Sequence, residues 1–267
     1  MHESVVFSSL EELVNEIRAN GRYAFSVEEV KKGLHLNDKA LYQSLFRLKN
    51  KNRIARIRRG FFAIITPEYS RQGMLPPNLF IDDLMSYIGK EYYVALFSAA
   101  ALYGAAHHQP MEYYVITEKP ALRNIKNSRL VINFYVKEGW QEDEVIQKKT
   151  DAGYLNVSTP ELTALDLLTY GNFGINRILT ILEELTEEMK PSELAKTANS
   201  YPITSSVQRL GYLIDNQIGN DKLSSALKKV LKDRKIQKVR LLKNGSSKGR
   251  TDSVWKVNVN TEVEGDI

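Results

Sequence analysis

A run of basic residues between Lys39 and Pro67 is the part of the sequence best suited to chemistry with an anionic partner. The run contains no aspartate or glutamate, and its eight basic residues are Lys39, Arg47, Lys49, Lys51, Arg53, Arg56, Arg58 and Arg59. Closely spaced lysines and arginines bind phosphate groups and release their counterions. A cationic run can equally be a solvated surface, so the elements that carry it decide between the two interpretations.

Two short helices are predicted around the start of this run. Ser26 and Glu29 have the spacing of a capping box, which predicts a helix from Val27 to about Gly33. A second helix is predicted to begin after Asn37 or Asp38, because either side-chain oxygen can cap it. The apolar face of this second helix consists of Leu41, Leu45 and Leu48. The remaining side chains of the helix then face outward, where they can contact a partner.

A hairpin is predicted after the second helix. Residues that favour strands surround Arg58-Arg59-Gly60, and Gly60 can adopt the positive φ that a tight turn requires. Two helices followed by such a hairpin have the order of a winged helix-turn-helix, whose second helix reads the major groove of DNA. The residues predicted to bind double-stranded DNA are Lys39, Tyr42, Gln43, Arg47, Lys49, Arg56, Arg58 and Arg59.

The chain of 267 residues is long enough for about two domains, and its composition is that of a globular protein. Gly73 and the adjacent Pro76-Pro77 disfavour both helix and strand, so we predict a linker at 68–77. It separates a winged helix-turn-helix domain at 1–67 from a C-terminal domain at 78–267. Helical periodicity dominates the second domain, with helices predicted at 92–104, from the cap Thr159 and Pro160 onward, and at 175–188, 192–198, 205–218 and 221–232. The runs EYYVIT, RLVINFYV and 154–157 predict strands, and the alternating runs KVRLL and VWKVNV predict a C-terminal hairpin. The predicted fold class is therefore α+β, with a mainly helical C-terminal domain and a small antiparallel sheet.

Charge is distributed unevenly along the chain. Residues 1–66 carry a net charge of +5, residues 67–227 carry −6, and residues 228–267 carry +6. A protein that only coats nucleic acid is basic throughout, so the acidic middle indicates a separate role in protein contact or structure. A C-terminal basic cluster is formed by Lys228, Lys229, Lys232, Arg234, Lys235, Lys238 and Arg240. It is suited to nucleic acid or an acidic partner, and equally to a solvated helix end.

Several kinds of chemistry have no support in the sequence. There is no cysteine, no glycine-rich phosphate loop, no G-x-S-x-G elbow and no D-x-D pair for two metal ions. His107 and His108 are adjacent but lack further ligands at matched positions. We therefore predict that the protein is not an enzyme and binds no metal or cofactor. The acidic start of the chain and the lack of a run of ~20 apolar residues predict a cytoplasmic protein without membrane contact.

Several blocks of the sequence resemble those of the AbiEi family of bacterial antitoxins. The blocks are the basic wing with its aromatic residues, then YYVALFSAAALYG, a strand pair, VSTPELTALDLL and VQRLGYLID, in that order. The resemblance covers roughly residues 8–230, and the order of the blocks is more specific than any one of them. The wing departs from the family, because it has Phe61-Phe62 where a tyrosine is expected.

The resemblance implies that the protein is the antitoxin of a type IV abortive-infection toxin–antitoxin pair. It implies that the winged helix binds inverted repeats in the protein's own promoter and represses the operon. It also implies that the C-terminal domain counters a nucleotidyltransferase-like toxin, which some family members do without a stable complex.

Two other functions stay open from the residues alone. One is a winged-helix transcriptional regulator whose C-terminal domain senses a ligand or dimerises, and the other is an enzyme with an unrecognised site. A neighbouring reading frame with the G-S and D-x-D signature of a nucleotidyltransferase separates the antitoxin from the plain regulator.

Overall fold

The computed structural model describes residues 7–34, 37–105 and 112–263. Helices and strands are mixed along these ranges, which confirms the predicted α+β class. The chain forms two compact units. The first takes its described residues from 1–93, 111–138 and 147–156, and the second takes them from 94–110, 139–146 and 157–267.

The first unit begins with three helices and a three-stranded antiparallel sheet. Its elements are α1 (Leu10–Ala19), β1 (Ala24–Ser26), α2 (Val27–Gly33), α3 (Asp38–Asn50), β2 (Ile54–Arg58) and β3 (Phe61–Ile64). The strand order is β1–β3–β2, so β3 lies in the centre. Apolar residues from all three helices and all three strands form one buried cluster. Burial of this apolar surface is the main force that holds the helices on the sheet.

Side-chain caps begin these helices where the sequence predicts them. Ser26 Oγ accepts a hydrogen bond from the Glu29 backbone N–H at 3.0 Å, and the predicted span of α2 is confirmed. Asn37 Oδ1 accepts from the Ala40 N–H at 2.8 Å and caps α3. The capping box is only half formed, because the Glu29 carboxylate pairs with the Arg22 guanidinium. An ion pair to arginine is stronger than a hydrogen bond to a neutral backbone N–H.

The segment predicted as a linker, 68–77, belongs to the first unit and is partly buried in it. Two short 3-10 turns lie at Pro67–Tyr69 and Pro77–Leu79, and Met74 and Leu75 between them are buried. Helix α4 (Ile81–Ile88) follows and packs against β1. Both carboxylates of α4 have partners: Asp83 lies 3.4 Å from Arg22 Nε, and Asp82 accepts from the Tyr92 hydroxyl at 2.8 Å. The domain division at 68–77 stays a prediction, but a cut there exposes apolar surface.

Gly60 forms the turn of the β2–β3 hairpin with φ +78°. For a residue with a Cβ, the left-handed backbone conformation costs about 1–2 kcal/mol. In addition, a Cβ at Gly60 would lie 2.6 Å from the Tyr87 hydroxyl. We therefore expect Gly60→Ala to lower the free energy of unfolding by about 2 kcal/mol. Gly21→Ala is the matched control, because Gly21 has φ +77° and a Cβ added there would meet no atom within 4 Å. Equal losses for the two variants in chemical denaturation would rule out close packing of Tyr87 on the turn.

Most residues of a six-stranded sheet also belong to the first unit. Its strands are β4 (Tyr92–Val94), β5 (Tyr113–Thr117), β6 (Ile125–Asn127), β7 (Leu130–Val136), β8 (Val145–Thr150) and β9 (Gly153–Ser158), in the order β6–β7–β5–β4–β9–β8. The prediction of a small antiparallel sheet is wrong, because β5 and β7 pair in parallel, as do β4 and β9. The cause is β6, which forms an antiparallel hairpin with β7. Because the chain reverses direction twice between β5 and β7, those two strands run in the same direction.

The second unit is mainly helical. Its helices are α5 (Leu96–Leu102), α6 (Pro160–Thr169), α7 (Ile175–Glu188), α8 (Pro191–Ser200), α9 (Thr204–Leu213) and α10 (Asp221–Lys232). A π-helical turn at Ile214–Ile218 extends α9. The cap at Thr159 and the first-turn proline at 160 begin α6 as predicted. A single helix over 92–104 is not observed, because the β-prone residues 92–94 form a strand and only 96–102 are helical.

Three short strands near the C-terminal end form a sheet, and Trp255, which lies between the last two of them in the sequence, is fully buried. Strand β12 (Val257–Val259) pairs in parallel with β10 (Val239–Arg240) and antiparallel with β11 (Arg250–Thr251), so the predicted single hairpin is wrong.

The Trp255 indole Nε1 donates to Asp215 Oδ2 at 2.9 Å, and Lys228 Nζ donates to Asp215 Oδ1 at 2.9 Å. Burial alone raises the pKa of Asp215, but these two donors lower it overall. Gly211 faces the indole so closely that a Cβ there would lie 1.9 Å from the ring.

Candidate nucleic-acid interface

The outer face of α3 carries the side chains that the sequence predicts to read base edges. Its three leucines are buried in the core, and Lys39, Tyr42, Gln43 and Arg47 are exposed. These four residues line one shallow depression together with Phe46. The leucine spacing dictates this arrangement, because positions three and four apart share one helical face and leave the others to solvent.

The β2–β3 hairpin places arginines beside α3. Arg56 and Arg58 are exposed on β2, and the intervening Ile57 is buried. Arg56 and Arg59 line a second groove together with Tyr42 and Lys49 of the helix. The structure therefore brings seven of the eight predicted residues into two adjoining depressions, which share Tyr42 and Phe46. Arg58 is exposed but does not line either one.

The cations of this surface lack acidic partners. Within the described ranges, Lys51 is the only member of the basic run in a salt bridge, with Glu11 at 3.6 Å. Arg47 donates from Nη2 to Ser44 Oγ at 3.2 Å, which holds the guanidinium along the helix without neutralising it. Glu28 also lines the second groove, but it forms no salt bridge with these cations within the described ranges. Positive charges outside salt bridges keep most of their attraction for phosphate. The surface defined by the eight predicted residues is therefore suited to a polyanion.

Sequence reasoning left two residues out of this surface. Phe46 is 64% exposed, one helical turn from Tyr42, which is 56% exposed. The leucine pattern already places Phe46 outside the core, although its type alone suggests packing. Tyr87 of α4 lines the second groove, with its ring 5.3 Å from that of Phe61. No local signal places Tyr87 there, because α4 follows the hairpin across the segment predicted to be a linker.

The C-terminal basic cluster is partly structural. Lys228 pairs with Asp215, Arg234 donates to the Ala198 carbonyl at 2.7 Å, and Arg240 donates to the Gly245 carbonyl at 2.9 Å. The four lysines of the cluster that are exposed, and that make no salt bridge within the described part of the chain, are Lys229, Lys232, Lys235 and Lys238. These contacts favour a structural role for three members of the cluster.

The adjacent histidines that the sequence argues against as a metal site, His107 and His108, lie outside the described residues. Among the residues described, no group of three or more histidine, cysteine or acidic side chains could hold a metal ion. No helix in the same ranges is long and apolar enough to span a bilayer.

Comparison with known proteins identifies the family of one region of the chain. No curated protein matches the chain at a significant level. The crystal structure of the RV2827C protein from Mycobacterium tuberculosis matches with a TM-score of 0.66 at 15% identity, over 94% of this chain and 91% of that one. At this identity the likeness shows a shared fold. Residues 93–216 match the family model of the AbiEi antitoxin C-terminal domain. The family resemblance is thereby confirmed over residues 93–216, which belong to the AbiEi antitoxin C-terminal domain family.

Proposed function

We propose that this antitoxin represses its own operon by binding inverted repeats in its promoter, and that it counters a nucleotidyltransferase-like toxin. Residues 1–67 act as a winged helix-turn-helix on double-stranded DNA, and the C-terminal domain carries the antitoxin activity. The observation that carries the DNA half is the surface of the eight predicted residues, where cations without acidic partners lie beside an exposed polar and aromatic helix face. Both activities operate in the cytoplasm, where the promoter is found.

The order of elements supports this proposal. A helix α2, a short connection, a second helix α3 and the β2–β3 hairpin follow one another, with α1 packed behind them in the same core. In helix-turn-helix proteins the second helix lies in the major groove, and its N-terminal residues contact bases. Lys39, Tyr42 and Gln43 lie in the N-terminal half of α3. The hairpin arginines then reach the phosphate backbone beside that groove.

The toxin half of the proposal is supported by the family and by charge. The family match ends at residue 216, within the stretch 67–227 that has a net charge of −6. An acidic surface repels DNA and attracts a protein that handles nucleic acid. The antagonism proposed here requires no stable complex with the toxin. The match to an antitoxin domain favours this function over a plain regulator with a ligand-sensing or dimerising C-terminal domain.

Replacing Arg58 and Arg59 together by alanine tests the wing. Each phosphate that a protein neutralises contributes about −0.9 to the slope of log K against log salt concentration. We therefore expect the double variant to flatten the slope for promoter DNA by roughly one to two units. The matched control replaces two exposed cations of the six-stranded sheet region, Arg123 and Lys126. A slope that falls equally in both double variants would remove the wing from the interface.

The same variant of the wing separates the two proposed activities. In cells that express the cognate toxin, the Arg58→Ala, Arg59→Ala protein is expected to restore growth as well as the wild type at matched protein levels. Operon repression, read from a promoter fusion, is expected to fall. The full chain is used because the packed segment 68–77 makes truncation disruptive. Loss of growth rescue together with repression, in a protein that stays folded, would contradict the division of activities between the two regions.

A further inference from the structure

A pocket in the second unit carries two cations and no acid. It lies among α6, α7, α9 and the segment after β10, and has a volume of about 200 Å³. Its lining residues are Leu167, Leu168, Gly171, Asn172, Phe173, Gly174, Ile175, Ile178, Arg209, Leu241, Leu242, Lys243 and Asn244. The pocket is separate from the proposed DNA surface, and the proposal made for it does not depend on the proposed function.

Arg209 is the buried cation of the pocket, with 8% of its surface exposed. Its Nε donates to the Arg240 carbonyl at 2.7 Å, and its Nη1 donates to Ser205 Oγ at 3.2 Å. A guanidinium has five N–H donors, and within the described residues only Nε and Nη1 of Arg209 donate to an acceptor, which leaves Nη2 for a ligand. No carboxylate within those residues lies near enough to form an ion pair with Arg209. A buried charge without a counterion is costly, and a bound anion removes that cost.

Lys243 is the second cation. Its Nζ donates to the Thr169 carbonyl, which uses one of three donors of the ammonium group. Burial lowers the pKa of Lys243, and the positive charge of Arg209 lowers it further. Burial and the charge of Arg240 likewise lower the pKa of Arg209. The positive charges of Arg209 and Lys243 thus repel each other, and the lining of the pocket contains no acidic residue that could offset them.

The rest of the pocket wall is apolar. Leucines of α6, two isoleucines of α7 and the Phe173 ring form most of it. At the polar edge of the pocket, the Asn244 side-chain amide donates to Asn172 Oδ1 at 3.1 Å. A volume of about 200 Å³ is below the ~300–1,000 Å³ of sites for drug-sized ligands, so the occupant is small. An apolar wall with a pair of cations is complementary to a molecule with one anionic end.

We propose that this pocket binds a small organic carboxylate, with the carboxylate between Arg209 and Lys243 and the apolar body against Ile175, Ile178 and Phe173. Arginine offers a carboxylate two parallel N–H donors, and the lysine adds a charge-assisted bond. The apolar body contributes through burial. Both elements are required, so neither an inorganic anion nor a neutral apolar molecule binds as well.

The test titrates the full chain, with methyl-labelled isoleucine, with hexanoate, hexanamide, acetate and inorganic phosphate. Hexanoate is expected to shift the methyl signals of Ile175 and Ile178. Hexanamide, acetate and phosphate are expected to bind at least about tenfold more weakly, since each lacks either the charge or the apolar body. Equal binding of hexanoate and hexanamide would overturn the anion site. Equal binding of hexanoate and phosphate would overturn the apolar contribution, and no shift with hexanoate would overturn the pocket as a binding site.

Two lysine variants test whether Lys243 binds the carboxylate of hexanoate. Lys243→Gln removes the charge and retains a donor for the Thr169 carbonyl, and it is expected to weaken hexanoate binding about tenfold or more. Lys229→Gln is the matched control on an exposed lysine of α10 and is expected to change nothing. The methyl spectrum without ligand reports whether each variant is folded. Unchanged hexanoate affinity in a folded Lys243→Gln protein would overturn the proposed binding mode.

Discussion

Replacing Trp255 by alanine is expected to lower the free energy of unfolding of the second unit by about 3–5 kcal/mol, the usual cost of removing a buried aromatic ring. Trp255 is fully buried, and its indole covers Gly211, where even one added methyl group would collide with it. The helix backbone around Gly211 cannot move inward without breaking hydrogen bonds, so alanine leaves a cavity. The expected measurement is the denaturant midpoint, followed by a probe within the second unit.

Trp255→Phe is the control for this prediction. Phenylalanine keeps most of the apolar contact but loses the bond from Nε1 to Asp215, which retains Lys228 as a partner. The expected loss is about 1–3 kcal/mol, the range for a buried acceptor that loses one donor. Growth rescue against the toxin should follow the amount of folded protein in both variants. A Trp255→Ala protein as stable as the wild type would contradict the packing of the indole on Gly211.

Replacing Gln43 and Arg47 together by alanine is expected to weaken binding to the promoter repeat by about 2–6 kcal/mol, because each good base contact discriminates by about 1–3 kcal/mol. Both side chains are exposed on α3 and line the same depression. The loss of binding free energy on DNA of random sequence should be smaller, since base contacts contribute only where the bases match. The measurement is a gel-shift titration of both duplexes at one fixed salt concentration.

Phe46→Ala gives a useful comparison on the same helix face. It removes an exposed aromatic side chain without changing charge, so it leaves the salt dependence of binding unchanged. For the Gln43→Ala, Arg47→Ala protein, equal losses on the promoter repeat and on random DNA would mean that these residues contact phosphate only. In that case α3 would not be the helix that reads sequence.

The sequence predicts the parts of the fold that depend on local signals. Helix α2 lies where its cap and apolar spacing place it, and α7 and α10 lie where apolar spacing alone places them, because both signals act within a few residues. The exposed residues of α3 follow in the same way from three leucines. The family blocks added the antitoxin assignment, which no single block carries.

The parts that depend on distant residues could not be predicted. Strand β6 has only three residues and a polar middle, so nothing in its sequence indicates the hairpin that makes β5 and β7 parallel. The packing of Tyr87 on the β2–β3 turn joins elements on either side of a proline-rich segment. The cation pair of Arg209 and Lys243 comes from positions 34 residues apart. Such pairs are fixed by tertiary packing, which overrides local propensity.

The interleaving of the two units has a consequence during synthesis on the ribosome. The first unit takes its last residues from 147–156, after the chain has already passed through 94–110 and 139–146 of the second. Domains fold as units as they emerge, at about 5–20 residues per second. The amino-terminal helices can pack early, but the six-stranded sheet waits for more than half of the chain. Until then the unpaired strand edges of the sheet are exposed to neighbouring nascent chains. Translation speed and chaperones should therefore affect the yield of this protein more than that of a protein with consecutive domains.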